Sequence, residues 1–403
     1  MAAQHVIDVD LAKVYASETR SGFIRTLAWG DTVEVLDVAE KHVEIRTVKL
    51  ETRPDGSIEP VPALGFIVHS ASSRTKPADV VAEKEESRVL KVDFVDVQQG
   101  DASVIETAGG KVVLIDSGDN QLFARYLANR YRGTSDIKPK EIDCILVTHG
   151  DADHFVGLVE IQESETHELE WKRLFIHPKR VYHNGLVRRP GDVKEANSFG
   201  LTVTADDGTT VVTELETDLL AVDDAKMNGP FRRWKEALKT FEERGPIEFR
   251  RLAKGDDGAF GFLADEGIKV EVLGPITTKV GDAEGLKFLG RPQEGPRVGH
   301  HSLDTGRKRF TGKSASHTIN GHSIVFRLSY GDFSFLFAGD LNEEAELEVV
   351  RSHQNLRSEV LKAPHHSSHD FLPGFIEAAS PLISVVSSGD ERPMKEYIHP
   401  RQP

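Results

Sequence analysis

The segment Ile145-Leu-Val-Thr-His149-Gly-Asp151-Ala-Asp153-His154 constrains this chain more than any other. An apolar run that reads as a buried strand passes directly into four metal-capable side chains within six residues. Imidazole and carboxylate donors suit zinc, manganese or iron. The spacing His-x-Asp-x-Asp-His can serve two ions at once, and two ions a few ångströms apart make a hydrolytic centre.

Later segments repeat the same design. Lys111-Val-Val-Leu-Ile-Asp116 is a strand that ends in an acid. Phe335-Leu-Phe-Ala-Gly-Asp340 is another, and Val360-Leu-Lys362-Ala-Pro-His365-His366-Ser367 ends in paired histidines. Pro381–Ser387 is a further strand with polar residues at its end, and Tyr397-Ile-His399 follows it. In layered α/β domains functional groups gather where strands end, and each of these strands delivers a ligand-type residue there.

The surrounding text fits such a domain. From residue 88 onward strands alternate with helix candidates at Gln121–Tyr131, Phe231–Glu243 and Glu343–Ser352, which predicts α/β layers. Residues 281–320 are rich in Gly, Pro, Arg and Lys without periodicity and read as a long loop. Upstream, Ala12–Tyr15, Gly22–Ala28, Thr32–Val38, Val43–Leu50 and Gly65–Val68 read as short strands of a small all-β barrel. The polar stretch 71–87 between them reads as a linker. The expected organisation is therefore 1–70, a linker at 71–87, and 88–403.

Composition narrows the function classes. The net charge of -15 argues against a protein wrapped in nucleic acid through a global basic surface. Two local basic tracks stand out against it. Trp171–Arg189 carries Lys172, Arg173, Lys179, Arg180, Arg188 and Arg189 with interleaved aromatics, and 287–313 carries Arg291, Arg297, Arg307, Lys308, Arg309 and Lys313. Such tracks can follow a phosphate backbone and stack bases. The single cysteine, Cys144, excludes an internal disulfide framework. No apolar run approaches the ~20 residues of a membrane span. The first residues lack a basic start and an apolar stretch. Together these predict a cytoplasmic protein with no membrane partner.

The motifs "DVQQGDASVIE", "VVLIDSG", "LVTHGDADHFVGL", "NGHSIVFRLSYGDFSFLFAGDLNEEAE", "VLKAPHHSSH" and "SVVSSGDERPMKEYIHP" occur in this order. With them the chain resembles the metallo-β-lactamase superfamily, in its ComEC-like branch associated with DNA-uptake competence. The N-terminal run "VYASETRSGFIRTLAWGDTVEVLD…ALGFIVHS" resembles a bacterial SH3-like domain, which implies a protein partner for that part. The fold implied is an α/β four-layer αβ/βα sandwich preceded by the small all-β SH3-like barrel.

The superfamily resemblance also implies a ligand set and a cofactor. His149 and Asp151 would bind one divalent ion, zinc or manganese. Asp153 and His154 would bind a second, with Asp340 bridging and His365, rather than His366, completing the second site. Asp101 and Asp116 would stand behind the ligands. Asn320 occupies a position where much of the superfamily has histidine, with His322 beside it and His317 near. Asp153 would orient a metal-activated hydroxide, and His399 would contact substrate or protonate the leaving group. Lys362, Ser367, Lys172, Arg173, Lys179 and Arg180 are candidates for phosphate contact.

The expected activity is a metal-dependent nuclease or phosphodiesterase in DNA processing or antiviral defence. Hydrolysis of a small ester, lactone or phosphocholine-type group is the alternative, and a binding or assembly subunit with a secondary metal site is a third.

Overall fold

A computed structural model describes residues 4–53, 58–68, 76–83, 89–191, 193–292, 310–352, 355–368 and 370–389. Among the site candidates, His399 lies outside the described residues, as do Arg297, Arg307, Lys308 and Arg309 of the second basic track. The chain divides into two compact units. One comprises Met1–Val89, Ala124–Lys140 and Ser164–Phe175, and the other Leu90–Phe123, Glu141–Glu163 and Ile176–Pro403.

The first unit is built on one antiparallel sheet. Its strands are β1 (Gln4–Ile7), β2 (Leu11–Tyr15), β3 (Phe23–Ala28), β4 (Thr32–Val38), β5 (His42–Thr52), β6 (Ile58–Val68) and β7 (Val81–Glu83), in the order β3-β2-β6-β5-β4-β1-β7. Alternate residues of these strands, among them Ala12, Val14, Val43, Ile45 and Ile67, form a single apolar cluster, as period-two patterning requires. β7 falls inside the stretch expected to be a linker. Instead Val81–Glu83 pair with β1, and Val81 joins the cluster. Segments 124–140 and 164–175, expected with the second domain, also group here. Arg132 donates to the Ile24 carbonyl (2.8 Å), and Thr52 donates to Glu170 (2.6 Å).

The second unit carries two mixed sheets. One runs in the order Glu248–Arg251, Arg180–His183, Cys144–Leu146, β10 (Val112–Asp116), β9 (Ala102–Glu106), β8 (Lys91–Phe94). The four strands from β10 to Glu248–Arg251 are parallel to one another. The other runs Ile268–Gly274, Val325–Tyr330, Phe333–Phe337, Val360–Lys362, Ile383–Val385, with its last three strands parallel. Every residue of β10 is buried, which requires cover on both faces. Val113, Ile115, Leu146 and Tyr182 of the first sheet share one core cluster with Val270, Val272, Phe326 and Phe337 of the second. The sheets therefore pack face to face.

α1 (Leu122–Arg130) follows β10, and from Ala124 on it groups with the first unit. α2 (Ala152–Ser164) follows the Cys144–Leu146 strand, and α3 (Gly229–Glu242) meets α2 through Phe155 and Phe231, 4.9 Å between ring centroids. α4 (Ala315–Gly321) precedes the Val325–Tyr330 strand. α5 (Glu343–Ser352) and α6 (Pro373–Ala379) contribute Leu347, Val349 and Phe375 to a cluster with Leu336 and Leu361, on the far side of the second sheet. The mixed α/β architecture agrees with the expected class. Residues 281–320, expected to be a loop, instead contain a strand at Ala283–Lys287 and most of α4.

α2 lies directly on the turn after β10. A Cβ at Gly157 would stand 2.0 Å from the Ser117 carbonyl oxygen, so only glycine permits that approach. The contact brings the first turn of α2, with Asp153 and His154, over the end of β10.

Candidate metal centre

The parallel strands point their C-terminal ends at one place. β10 ends in Asp116, and Cys144–Leu146 leads through Val147 and Thr148 to His149. Phe333–Phe337 leads to Asp340, and Val360–Lys362 to His365 and His366. The edges of the two sheets are tied where they meet, because Ile324 N donates to the Thr148 carbonyl (2.8 Å).

Within this corner the ligand atoms of His149, His154 and Asp340 lie within 4.8 Å of one another. So do those of Asp153, His154 and His366, and those of Asp101, Asp340 and His366. Asp340 is central. Its Oδ1 is 3.3 Å from His154 Nε2, and its Oδ2 is 3.4 Å from His366 Nε2 and 3.9 Å from His149 Nε2.

Surrounding groups fix each ring. Asp116 Oδ2 stands 2.9 Å from His154 Nδ1, while its two oxygens accept from Thr148 N (2.7 Å) and Thr148 Oγ1 (2.6 Å). A proton held at Nδ1 by this carboxylate leaves Nε2 to face Asp340. His366 Nδ1 stands 2.9 Å from the Ser387 carbonyl, which aims its Nε2 at Asp340 and Asp153. Gln99, not singled out from the sequence, donates to Asp153 Oδ2 (2.9 Å); its place in the "DVQQGDA" motif was the available signal. Such partners set tautomer and orientation in metal sites.

The charges interlock. Burial opposes charge on His154 and His366, but the facing carboxylates outweigh it and hold both imidazoles well above their usual range. Asp340 and Asp153 are held below the carboxylate range against their own burial, by His366 and His154. His149 has the opposite balance. Burial, reinforced by His154, pulls it down to about 3.

The residues fit divalent ions. His149 Nε2 is buried and, among the described residues, has no hydrogen-bond partner. His154 Nε2 and Asp340 Oδ1 face each other at 3.3 Å, where a bound ion would sit between them. Unpaired buried nitrogen and oxygen are costly unless something else binds them, and a mixed imidazole and carboxylate set suits zinc or manganese.

The segment that carries most of these residues has recognisable relatives. Residues 95–220 match the family model described as the metallo-beta-lactamase superfamily. That segment is similar to a superfamily whose members are mostly hydrolases and usually bind divalent metals. The chain is also 33% identical over 84 residues to ComE operon protein 3 of Bacillus subtilis (strain 168). This match covers 21% of the chain and spans only about a tenth of that relative, 10% of its length.

Several side chains stand elsewhere than expected. His366, not His365, enters the cluster. His365, His366 and Ser367 all adopt left-handed backbone, φ 47, 51 and 58°, and this turn directs His365 Nε2 to the Asn320 amide at 3.4 Å. His322 is buried and turned away, its Nε2 2.7 Å from the Lys287 carbonyl. Lys362, expected as a phosphate contact, is 3% exposed and pairs with Asp101 at 2.7 Å. Its ammonium is therefore enclosed by protein.

The first basic track also dissolves as a single surface. Lys179 pairs with Asp143 (3.0 Å) and Arg180 with Glu248 (3.3 Å). Both stand at the start of the Arg180–His183 strand, whereas the metal-type residues gather at the ends of its parallel neighbours. Arg189 pairs with Glu214 (2.6 Å). Lys172 and Arg173 belong to the first unit, where Lys172 stands over the Trp171 ring at 5.2 Å and Arg173 donates to the His167 carbonyl. Arg188 alone of the track meets the motif, 3.2 Å from Asp151 Oδ1.

Replacing Asp116 by asparagine should weaken zinc or manganese binding by roughly 10–100-fold, the usual effect of losing a carboxylate behind a histidine ligand. Competition with a chromophoric chelator measures it. An unchanged affinity would mean that Asp116 does not orient His154.

Proposed function

We propose that this protein is a metal-dependent phosphodiesterase whose substrate is a nucleic acid. The observation that carries the reading is the convergence of His149, Asp153, His154, Asp340 and His366 at the strand ends of a segment similar to a hydrolase superfamily. The partial likeness to a ComE operon protein and the competence-type motifs favour DNA.

Bound divalent ions would lower the pKa of water and offset charge on the attacked phosphoryl group. Asp116 holds the proton of His154 at Nδ1, so that Nε2 stays directed inward. Gln99 occupies Asp153 Oδ2 and leaves Oδ1 to accept a hydrogen bond from the attacking water. Water adds to phosphorus, the phosphorus–oxygen bond to the leaving alcohol breaks, and a phosphomonoester results. Arg188, half exposed beside the motif, is placed to contact a phosphate oxygen.

The test is cleavage of single-stranded DNA, double-stranded DNA, RNA and bis(p-nitrophenyl) phosphate by metal-stripped protein with manganese or zinc restored. Metal-dependent nucleic-acid cleavage is expected, reduced roughly 10³-fold in an Asp153→Ala/His154→Ala variant. The neutralised Lys179, Arg180 and Arg189 favour a second reading, a small phosphodiester or ester substrate. Turnover of the small diester alone would select it, and inactivity on all four with ions bound would overturn the phosphodiesterase reading.

A further inference from the structure

The two halves of the centre are not equivalent. On one side Asp153, His154, Asp340 and His366 turn their donor atoms toward one another. On the other, His149 has Asp340 at 3.9 Å, and Asp151 is engaged elsewhere. Asp151 Oδ1 is 3.2 Å from the Arg188 guanidinium. With its nitrogen turned to the carboxylate, the Asn320 amide donates to Asp151 Oδ2 at 2.9 Å and to the Ser316 carbonyl at 3.1 Å. Each oxygen of Asp151 thus already faces a donor, one of them a cation, and among the described residues Asp151 belongs to no group of three clustered donors.

Arg188 is held at that place by its backbone. Asn184, buried after the Arg180–His183 strand, donates to the His322 carbonyl (2.9 Å) and accepts from Leu186 N (3.0 Å). The Arg188 carbonyl then accepts from Asn228 N (2.9 Å). The chain thus brings a permanent cation to the one carboxylate that would serve only the His149 side.

We infer that the centre binds its two ions unequally, with Arg188 competing against the second. The tight ion belongs to Asp153, His154, Asp340 and His366, whose two carboxylates match its charge. The His149 side gains Asp151 only when the guanidinium leaves, and it meets a positive charge until then. An anion that draws Arg188 away, such as a substrate phosphate, releases Asp151 and strengthens the second ion, so substrate and second ion bind cooperatively. The inference rests on the metal-dependent reading above.

Equilibrium dialysis of the full chain against manganese, with bound metal measured directly, tests it without reference to activity. One ion per chain should bind at least tenfold more tightly than the second. Arg188→Gln should tighten the second ion about tenfold and leave the first unchanged, while Arg188→Lys should restore weak binding. Asp151→Asn should abolish the second ion and keep the first. Two equal ions in the unmodified protein, or a second ion indifferent to Arg188, would overturn the inference. Absence of any bound ion would overturn the metal-dependent reading itself.

Discussion

Lys362→Met is expected to cost about 3–5 kcal/mol of stability, the usual penalty for breaking a buried ion pair from one side. In a unit of this size that lowers Tm by roughly 5–8 °C. Lys362 and Asp101 are 3% and 5% exposed, and their charged atoms lie 2.7 Å apart. Methionine matches the length of the lysine stem but leaves the Asp101 carboxylate deep in protein, with the imidazoles of His366, at 3.4 Å, and His154 beside it. The double variant Asp101→Asn/Lys362→Met removes both charges and should recover most of the loss. A single variant within ~1 kcal/mol of the parent, the range of exposed pairs, would show that this pair is solvated.

The same pair gives a pH signature. Burial alone would raise Asp101, but Lys362 and His366 outweigh it and hold the carboxyl at about 2, below the usual carboxylate range. A folded-state pKa below the unfolded value contributes stability above about pH 4, and that contribution is lost as pH falls toward 2. The stability gap between the parent and Lys362→Met should therefore narrow across that window. Chemical denaturation of metal-free protein at several pH values measures it.

How much of this was legible follows from where each signal resides. The His149–His154 motif was readable because the apolar strand and its polar end are contiguous. Most strands of the first unit were readable because their alternation is local, yet β7 was not, since three residues inside a polar stretch gain their meaning from pairing with β1. α2 gave no amphipathic pattern, because His154 through Val159 are all buried. Lysine and arginine counts predicted a basic track, but Asp143 and Glu248 neutralise part of it through strand pairing that no local window contains. Lys362 read as a candidate phosphate contact for the same reason: its partner Asp101 is distant in sequence. The choice between His365 and His366 depended on three successive left-handed residues, a conformation non-glycine residues rarely adopt.

That choice yields the second large effect. His366→Ala should weaken the tight ion by about 3 kcal/mol, roughly 10²-fold, about a quarter of what a four-ligand site contributes. His365→Ala should change it by less than about threefold, because the His365 ring faces the Asn320 amide and not Asp340. The affinity of the parent should also rise with pH. The carboxylates around His154 and His366, Asp340 foremost, hold both imidazoles well above their usual range, so a bound ion must compete with protons there. In His366→Ala one of these protons is gone, so the pH dependence should become shallower as the affinity falls. Titration with zinc or cobalt at three pH values reads both effects, and the cobalt spectrum reports the ligand field independently of affinity. If His365→Ala instead carried the loss and His366→Ala left both affinity and spectrum intact, the turn at 365–367 would have to present the other ring.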